Sequence, residues 1–250
     1  MTRTDEGYVL STRPLGEADL IVALLGSGSG LVRGVAPSAR GSRRRFGGAL
    51  EPLTLVRAVW REKEGRDLHR FEMMEPLRSH AAVQSDPAGL AAGAVLVEAA
   101  TALAREGQPE PLMVRLIGAT LEALEGGLSP WAAVRYFEAW ALRLHGVMPD
   151  TAACGICGEP FEPAAPRWVG EAGRILCGDC LRSTQAPARR LDDGARAFLV
   201  SAASRPPSDA GAHAAAARPG GALEALLRGG LEAFVERRLK TYRHLETCAR

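Results

Sequence analysis

The chain has 250 residues, room for one large domain or two small ones, and is 46% apolar and 24% charged. That balance is ordinary for a globular protein and excludes a disordered or fibrous chain. The formal net charge is only +2, so any pull on a polyanion must come from a local cluster rather than from the field of the whole molecule.

From Gly7 to Met74 the sequence reads as strands. The runs "GYVLSTRPLG", "DLIVALLG", "LVRGVA", "LEPLTLVRAVW" and "DLHRFEMM" are rich in Val, Leu and aromatics and are punctuated by Gly and Pro. Five short strands in under 80 residues predict a small barrel, because closure removes exposed strand edges. "GSGSG" at 26–30 has the composition of a phosphate loop. It joins two strands with no helix after it, so a hairpin turn is expected instead.

Between the third and fourth strands lies "RGVAPSARGSRRRFGG", with Arg33, Arg40, Arg43, Arg44 and Arg45. No Asp or Glu occurs between Asp19 and Glu51, so Leu20–Leu50 carries +5 and the rest of the chain −3. With only two lysines and no asparagine in the chain, the use of Arg over Lys says little; the acid-free span says more. Forked guanidinium donors match phosphate oxygens. The ring of Phe46 offers a surface on which a base can stack, worth about 1–3 kcal/mol, and Gly47-Gly48 let a phosphate backbone come close. Arg13, after the first strand, can add to the patch. Arg13, Arg33, Arg40, Arg43, Arg44, Arg45 and Phe46 are therefore candidate nucleic-acid contacts. The plainer alternative is a solvated basic loop with Phe46 tucked into the core.

Helices follow. Asp86-Pro87 has the signature of a helix start, and "PAGLAAGAVLVEAATALARE" is apolar nearly all round, which predicts a central buried helix stopping at Gly107. A second helix is expected over about Pro109 to Glu125. A third, "WAAVRYFEAWALRLH", starts at Ser129-Pro130 and ends at Gly146. The change of pattern places a domain boundary near residue 78, giving domains 1–78 and 79–250, the second interrupted by a cysteine segment at about 150–184. Helices resume near Leu191. Residues from about 202 to 222 are Pro/Gly/Ala-rich and read as a loop. A last helix places Leu231, Phe234, Val235, Leu239, Tyr242 and Leu245 on one face. Arg237, Arg238, Lys240 and Arg243 on it form a second candidate nucleic-acid contact, although Glu236 precedes Lys240 by four residues, the spacing of a plain surface pair.

Cys154-Gly-Ile-Cys157 and Cys177-Gly-Asp-Cys180 are separated by 19 residues, within the spacing of four-cysteine zinc sites. Thiols in a reducing compartment bind metal more often than they pair. One Zn²⁺ is expected on Cys154, Cys157, Cys177 and Cys180; four thiolates close the coordination, so its role is structural. The alternatives are a disulfide pair or a site that no longer binds metal. A base deaminase would need His-x-Glu before a single Pro-Cys-x-x-Cys, and that arrangement does not occur.

No Gly-Lys dipeptide occurs, hence no P-loop, and neither Gly-x-Ser-x-Gly nor His-Glu-x-x-His is found. The histidines, at 69, 80, 145, 213 and 244, are scattered. No enzymatic activity is expected. "MTRTDEGYVLSTRP" lacks the apolar region of a secretory signal. The longest charge-free apolar run is cut at Glu98, short of the ~20 residues a bilayer needs. A cytoplasmic protein with no membrane partner is expected.

"VLSTRPLGEADLIVALL", "GLVRGVAPSAR" and "RFGGALEPLTLV" resemble the N-terminal domain of the bacterial RecO recombination mediator family. The Arg-rich run into Phe-Gly-Gly is the most specific piece, and Gly-Glu-Ala-Asp at 16–19 supports it. The resemblance implies an α+β architecture, a five-stranded OB-fold barrel followed by an all-α domain carrying a four-Cys zinc finger, and the cysteines fall in the matching order. It implies a non-enzymatic DNA repair protein, cytoplasmic and nucleoid-associated. Such a protein binds single- and double-stranded DNA, anneals complementary strands and works with RecR to help RecA replace single-strand binding protein. Arg33–Arg45 would be the DNA-contact region, and a docking site for the single-strand binding protein C-terminal tail is expected on the helical domain. The rival readings are an RNA-binding factor built from an OB barrel and a zinc ribbon, and a metal-dependent hydrolase.

Overall fold

The computed structural model describes residues 1–62, 65, 68–162, 165–185, 187–210, 214 and 217–249. Two compact units emerge. The first comprises Met1–Asp86 with Leu96–Gly118, the second Pro87–Val95 with Ala119–Arg250.

The first unit is built on five strands, β1 (Thr2–Leu15), β2 (Asp19–Gly26), β3 (Gly30–Ala36), β4 (Leu55–Arg61) and β5 (His69–Arg78). They close in the order β1-β2-β3-β5-β4, with β3 and β5 parallel and every other pair antiparallel. This is an OB-like barrel. Period-two alternation sorts the side chains: on β4, Val56, Ala58 and Trp60 point inward while Arg57 and Arg61 face water. Val9, Val22, Leu24, Val32, Phe71 and Met74 complete the filling. Gly34 is required where β3 meets β5, since a Cβ there would lie 2.9 Å from the His69 carbonyl oxygen and from the Phe71 ring.

The fourth strand starts at Leu55 rather than Leu50. Leu53 takes φ = 70°, and the chain there trades hydrogen bonds with Val9 at 2.9 and 3.0 Å instead of joining the ladder. The 26–30 segment is the expected hairpin turn between β2 and β3. Its donors already hold an anion: the Gly28 and Ser29 amides and both serine hydroxyls converge on the Asp5 carboxylate at 2.6–3.1 Å. Between β3 and β4 a single helical turn, α1 (Arg43–Phe46), drives Phe46 into the barrel interior. The short α2 (Ala81–Ser85) follows the barrel, and beside it a buried His80 Nε2 meets the Tyr8 hydroxyl at 3.2 Å.

The three expected helices appear as α3 (Pro87–Leu103), α4 (Pro111–Glu125) and α5 (Pro130–Leu144). Ser129 caps α5 as its sequence predicts, its hydroxyl accepting from the Ala132 amide. The helix with no free face is α5 rather than α3: every residue from Trp131 to Ala139 is buried, whereas Leu90 on α3 is exposed.

After α5 comes a small cysteine-bearing module with β6 (Trp168–Val169), β7 (Ile175–Leu176), α6 (Gly178–Thr184) and β8 (Arg189–Arg190), the strands ordered β7-β6-β8. The helices then resume as α7 (Asp193–Ser204), α8 (Pro207–Ala210), α9 (Ala222–Phe234) and α10 (Tyr242–Cys248). Part of the stretch expected as a loop over 202–222 is helical, at 202–204 and 207–210; residues 211–213 and 215–216 lie outside the described residues. Gly173, at φ = 72°, seats the module on α9, where a Cβ would lie 2.3 Å from the Leu226 carbonyl oxygen and 2.9 Å from the Gly230 amide.

The single last helix expected from the sequence is two helices. The chain breaks over 235–241, with Glu236 left-handed at φ = 52°. Leu231, Leu239, Tyr242 and Leu245 are buried, but Phe234, the last residue of α9, is 41% exposed with its ring against that of His145. Among the described residues no helix is long and apolar enough to cross a membrane.

Candidate nucleic-acid interface and metal centre

The barrel carries two kinds of arginine. One kind is matched by acids: Arg3 with Glu62 at 3.1 Å, Arg57 with Glu6 at 2.9 Å and Glu75 at 3.3 Å, Arg61 with Glu72 at 3.0 Å, and Arg33 with Glu106. The other kind meets no acid among the described residues. Arg40 donates to the Glu17 carbonyl at 3.2 Å. Arg45 donates to the Pro37 carbonyl at 2.9 Å and the Ser42 hydroxyl at 3.0 Å, with its guanidinium 5.3 Å from the Phe46 ring centre. The Arg13, Arg44 and Arg70 side chains have no hydrogen bond or ion pair among the described residues. Arg13, Arg40, Arg44 and Arg70 are exposed. The Arg43 side chain lies outside the described residues.

These positions follow from the chain's local preferences. The 37–42 turns are held by Ser38, at φ = 53°, whose amide donates to Asp19 at 2.8 Å and whose carbonyl accepts from Gly41 and Ser42. The last acid before the span is thereby tied to the backbone. Arg33, grouped with the loop by sequence, sits on β3 and is answered by an acid 73 residues away.

Phe46 requires a correction. It is 1% exposed and part of the barrel core, so the stacking role expected of it is not open to it; an exposed ring would forfeit that burial. Its ring instead anchors α1 and so sets where Arg44 and Arg45 stand. The second basic cluster also differs from its expectation. Arg237, Arg238 and Lys240 are exposed in the break between α9 and α10, and Arg243 is on the short α10. The Glu236–Lys240 spacing has no helix to bring it onto one face.

The four cysteines come together as expected. Their sulfurs all lie within 4.8 Å of one another, and the Cys157 and Cys177 sulfurs are 4.0 Å apart. Four sulfurs at ~2.3 Å from one centre stand roughly 3.8 Å from each other, whereas a disulfide would need about 2.0 Å. Two knuckles make the geometry. Gly155 must be glycine, since a Cβ would meet the Arg174 side chain at 2.7 Å. The Cys177 amide donates to the Cys154 sulfur and the Cys180 amide to the Cys177 sulfur, both at 3.4 Å. Burial alone would raise the Cys154 thiol, but backbone N–H groups of Cys157, Cys177 and Ile156 outweigh it and bring it down to about 6. Cys180 is pushed up to about 12 by desolvation and by the neighbouring sulfurs. One thiolate forms readily and the next resists, because neighbouring sulfurs titrate as a coupled set in which each negative charge opposes the next.

Sequence reasoning missed two features of the second unit. On α5 the wholly buried Arg135 and Glu138 pair at 2.7 Å, and the Tyr242 hydroxyl donates to Glu138. Arg228 stacks 4.1 Å from the Tyr242 ring centre and is ringed by Glu224, Glu232 and Glu246 at 2.8, 3.2 and 3.1 Å. The other is a groove of about 340 Å³ whose lining includes Met148, Pro149, Leu199 and Val200 together with Arg143 and Arg167. Arg143 Nη1 and Arg167 Nε are buried without a hydrogen-bond partner among the described residues. No local periodicity marks either feature, because the partners come from elements far apart in the chain.

The sequence was compared with known proteins. Residues 1–80 match the family described as Recombination protein O N terminal, and residues 84–243 match Recombination protein O C terminal. A protein named DNA repair protein RecO from Anaeromyxobacter dehalogenans (strain 2CP-C) is 36% identical over 250 residues, covering 96% of this chain and 94% of its own. Its namesake from Anaeromyxobacter sp. (strain K) is 38% identical over 212 residues, covering 81% and 84%. That of Koribacter versatilis (strain Ellin345) is 40% identical over 166 residues, covering 66% and 67%.

Proposed function

The chain belongs to the RecO family of DNA repair proteins, and from that premise we propose that it acts in recombinational repair by gripping DNA strands and annealing them, without breaking or making a covalent bond. The observation that carries this reading is the set of exposed arginines on the barrel, Arg13, Arg40 and Arg44, that no acid among the described residues neutralises. Two strands repel as polyanions; cations placed along one of them lower that repulsion and leave the bases free to pair. No catalytic group is needed for the step. Both single- and double-stranded DNA present the phosphates that this surface would hold.

Cys154, Cys157, Cys177 and Cys180 would hold one Zn²⁺, whose two positive charges offset the crowded thiolates. Closed four-sulfur coordination leaves no position for water or substrate, so the ion would hold the 154–190 module together.

RecR and RecA are the expected collaborators, the second acting indirectly, and the site of action would be the cytoplasmic nucleoid. The single-strand binding protein C-terminal tail would dock on the helical unit, where Met148, Pro149, Leu199 and Val200 line a groove together with Arg143 and Arg167.

The test is annealing of complementary oligonucleotides, bare and coated with single-strand binding protein. The full chain is expected to speed pairing in both cases, and Arg13→Gln/Arg40→Gln/Arg44→Gln is expected to remove most of that acceleration. Equal acceleration by the triple variant would count against the reading. RNA of equal sequence competing better than DNA would favour an RNA-binding factor instead.

A further inference from the structure

The register of the barrel places Arg13, Ile21, Val35 and Arg70 in one row. Arg13 pairs with Ile21 across β1–β2, Ile21 with Val35 across β2–β3, and Val35 with Arg70 across β3–β5. Directly opposed residues share a face of the sheet. The neighbours along the same strands, Val22 and Phe71, are buried in the core, so the row faces outward. Arg13 and Arg70 are exposed at its two ends, with Ile21 and Val35 half-buried between them.

Arg70 is an anomaly on structural grounds alone. It stands opposite Arg61 in the β4–β5 ladder, and like charges directly opposite are destabilising. Glu72, two residues along the strand, relieves Arg61 at 3.0 Å; nothing among the described residues relieves Arg70. The barrel matches Arg3, Arg33, Arg57 and Arg61 with acids, so an Arg70 that no described acid matches, beside another arginine, marks a place where a negative charge arrives from outside.

We infer that a DNA strand crosses the outer face of the barrel along the row Arg13–Ile21–Val35–Arg70, making Arg70 a phosphate contact in addition to the arginine loop. This rests on the reading of the barrel as a DNA-binding surface and extends it to a path. The row spans three interstrand steps of ~4.8 Å, about 14 Å, the rise of roughly four stacked nucleotides at ~3.4 Å each. The arginines take phosphates at the ends, and the apolar strip lies against the faces of the bases between them, leaving their pairing edges open. At the Arg13 end the path meets the arginine loop, since the Arg40 guanidinium and amide both donate to the 17–18 turn that follows β1.

The test is the salt dependence of binding of the full-length chain to a single-stranded oligonucleotide, from 50 to 200 mM. Arg70→Gln is an exposed substitution and is expected to lower the slope of log affinity against log salt by ~0.7, so that its deficit relative to wild type shrinks about 2.6-fold across that range. Arg57→Gln, whose guanidinium is already held by Glu6 and Glu75, is expected to keep the wild-type slope. A wild-type slope for Arg70→Gln with a reduced slope for Arg13→Gln/Arg40→Gln/Arg44→Gln would overturn the path while leaving the loop reading intact. Wild-type slopes in both would overturn both. Equal slope losses for Arg70→Gln and Arg57→Gln would reduce the effect to general charge and overturn the path as well.

Discussion

The arginines of the barrel loop and those packed around α5 and α9 have the same chemistry and opposite circumstances. Arg135 is wholly buried, pairs with Glu138, and lies 5.5 Å from the Trp131 ring centre. Arg228 is claimed by three glutamates and a tyrosine face. Arg13, Arg40 and Arg44 are exposed and meet no acid among the described residues. An arginine whose charge is already spent holds the fold; one whose charge is uncommitted holds something else. What separates the two roles is the partner, and only the tertiary structure supplies it.

That contrast can be broken or sharpened by experiment. The largest effect is expected at the cysteines. Structural Zn²⁺ contributes roughly 10–16 kcal/mol of binding energy in small zinc-finger peptides, so Cys177→Ser, or a strong chelator, is expected to unfold the 154–190 module. Zinc content by elemental analysis together with a thermal melt checks this, and a metal-free protein with an unchanged melt would refute the structural ion.

Next comes the buried pair. Arg135→Met strands the Glu138 carboxylate and is expected to cost about 3–5 kcal/mol in denaturant unfolding. Arg135→Met/Glu138→Leu should recover part of that loss, since a buried pair replaced by apolar groups is often tolerated. Neither variant should alter the salt dependence of DNA binding; if either did, the division between structural and functional arginines would fail.

A smaller effect follows from titration. Burial raises the Glu138 carboxyl to about 7, against the opposing pull of Arg135 and Tyr242. In the unfolded chain the same group titrates near ~4.3. The folded state therefore holds the proton that the unfolded state releases, and this contribution is fully present below ~4.3 and lost as pH rises through about 7. The denaturation midpoint is expected to fall between pH 5 and pH 8, and Glu138→Gln should flatten that fall.

How much of this was legible in the sequence depends on the range of each interaction. The barrel and the four-cysteine cluster were readable because their signals are local: strands between glycines and prolines, and two Cys-x-x-Cys knuckles at metal spacing. Other features were not readable. Leu231, Phe234, Val235, Leu239, Tyr242 and Leu245 keep a helical period in the sequence although the chain breaks over 235–241, because periodicity carries no sign of the left-handed Glu236. Phe46 beside five arginines looks like a stacking group, yet its burial is decided by the barrel interior. Arg33 resembles its neighbours until β3 brings it to Glu106, and Arg70 draws no notice until pairing sets it opposite Arg61 and in line with Arg13.

The central claim is that uncommitted arginines on the barrel neutralise DNA phosphates. It is tested most directly by the slope of single-strand affinity against salt for wild type and for Arg13→Gln/Arg40→Gln/Arg44→Gln, with a thermal melt of each. The account predicts a slope lower by about 2, at ~0.7 per phosphate, and stability changed by less than about 0.5 kcal/mol per exposed substitution. An unchanged slope in a protein that melts like the wild type would contradict it.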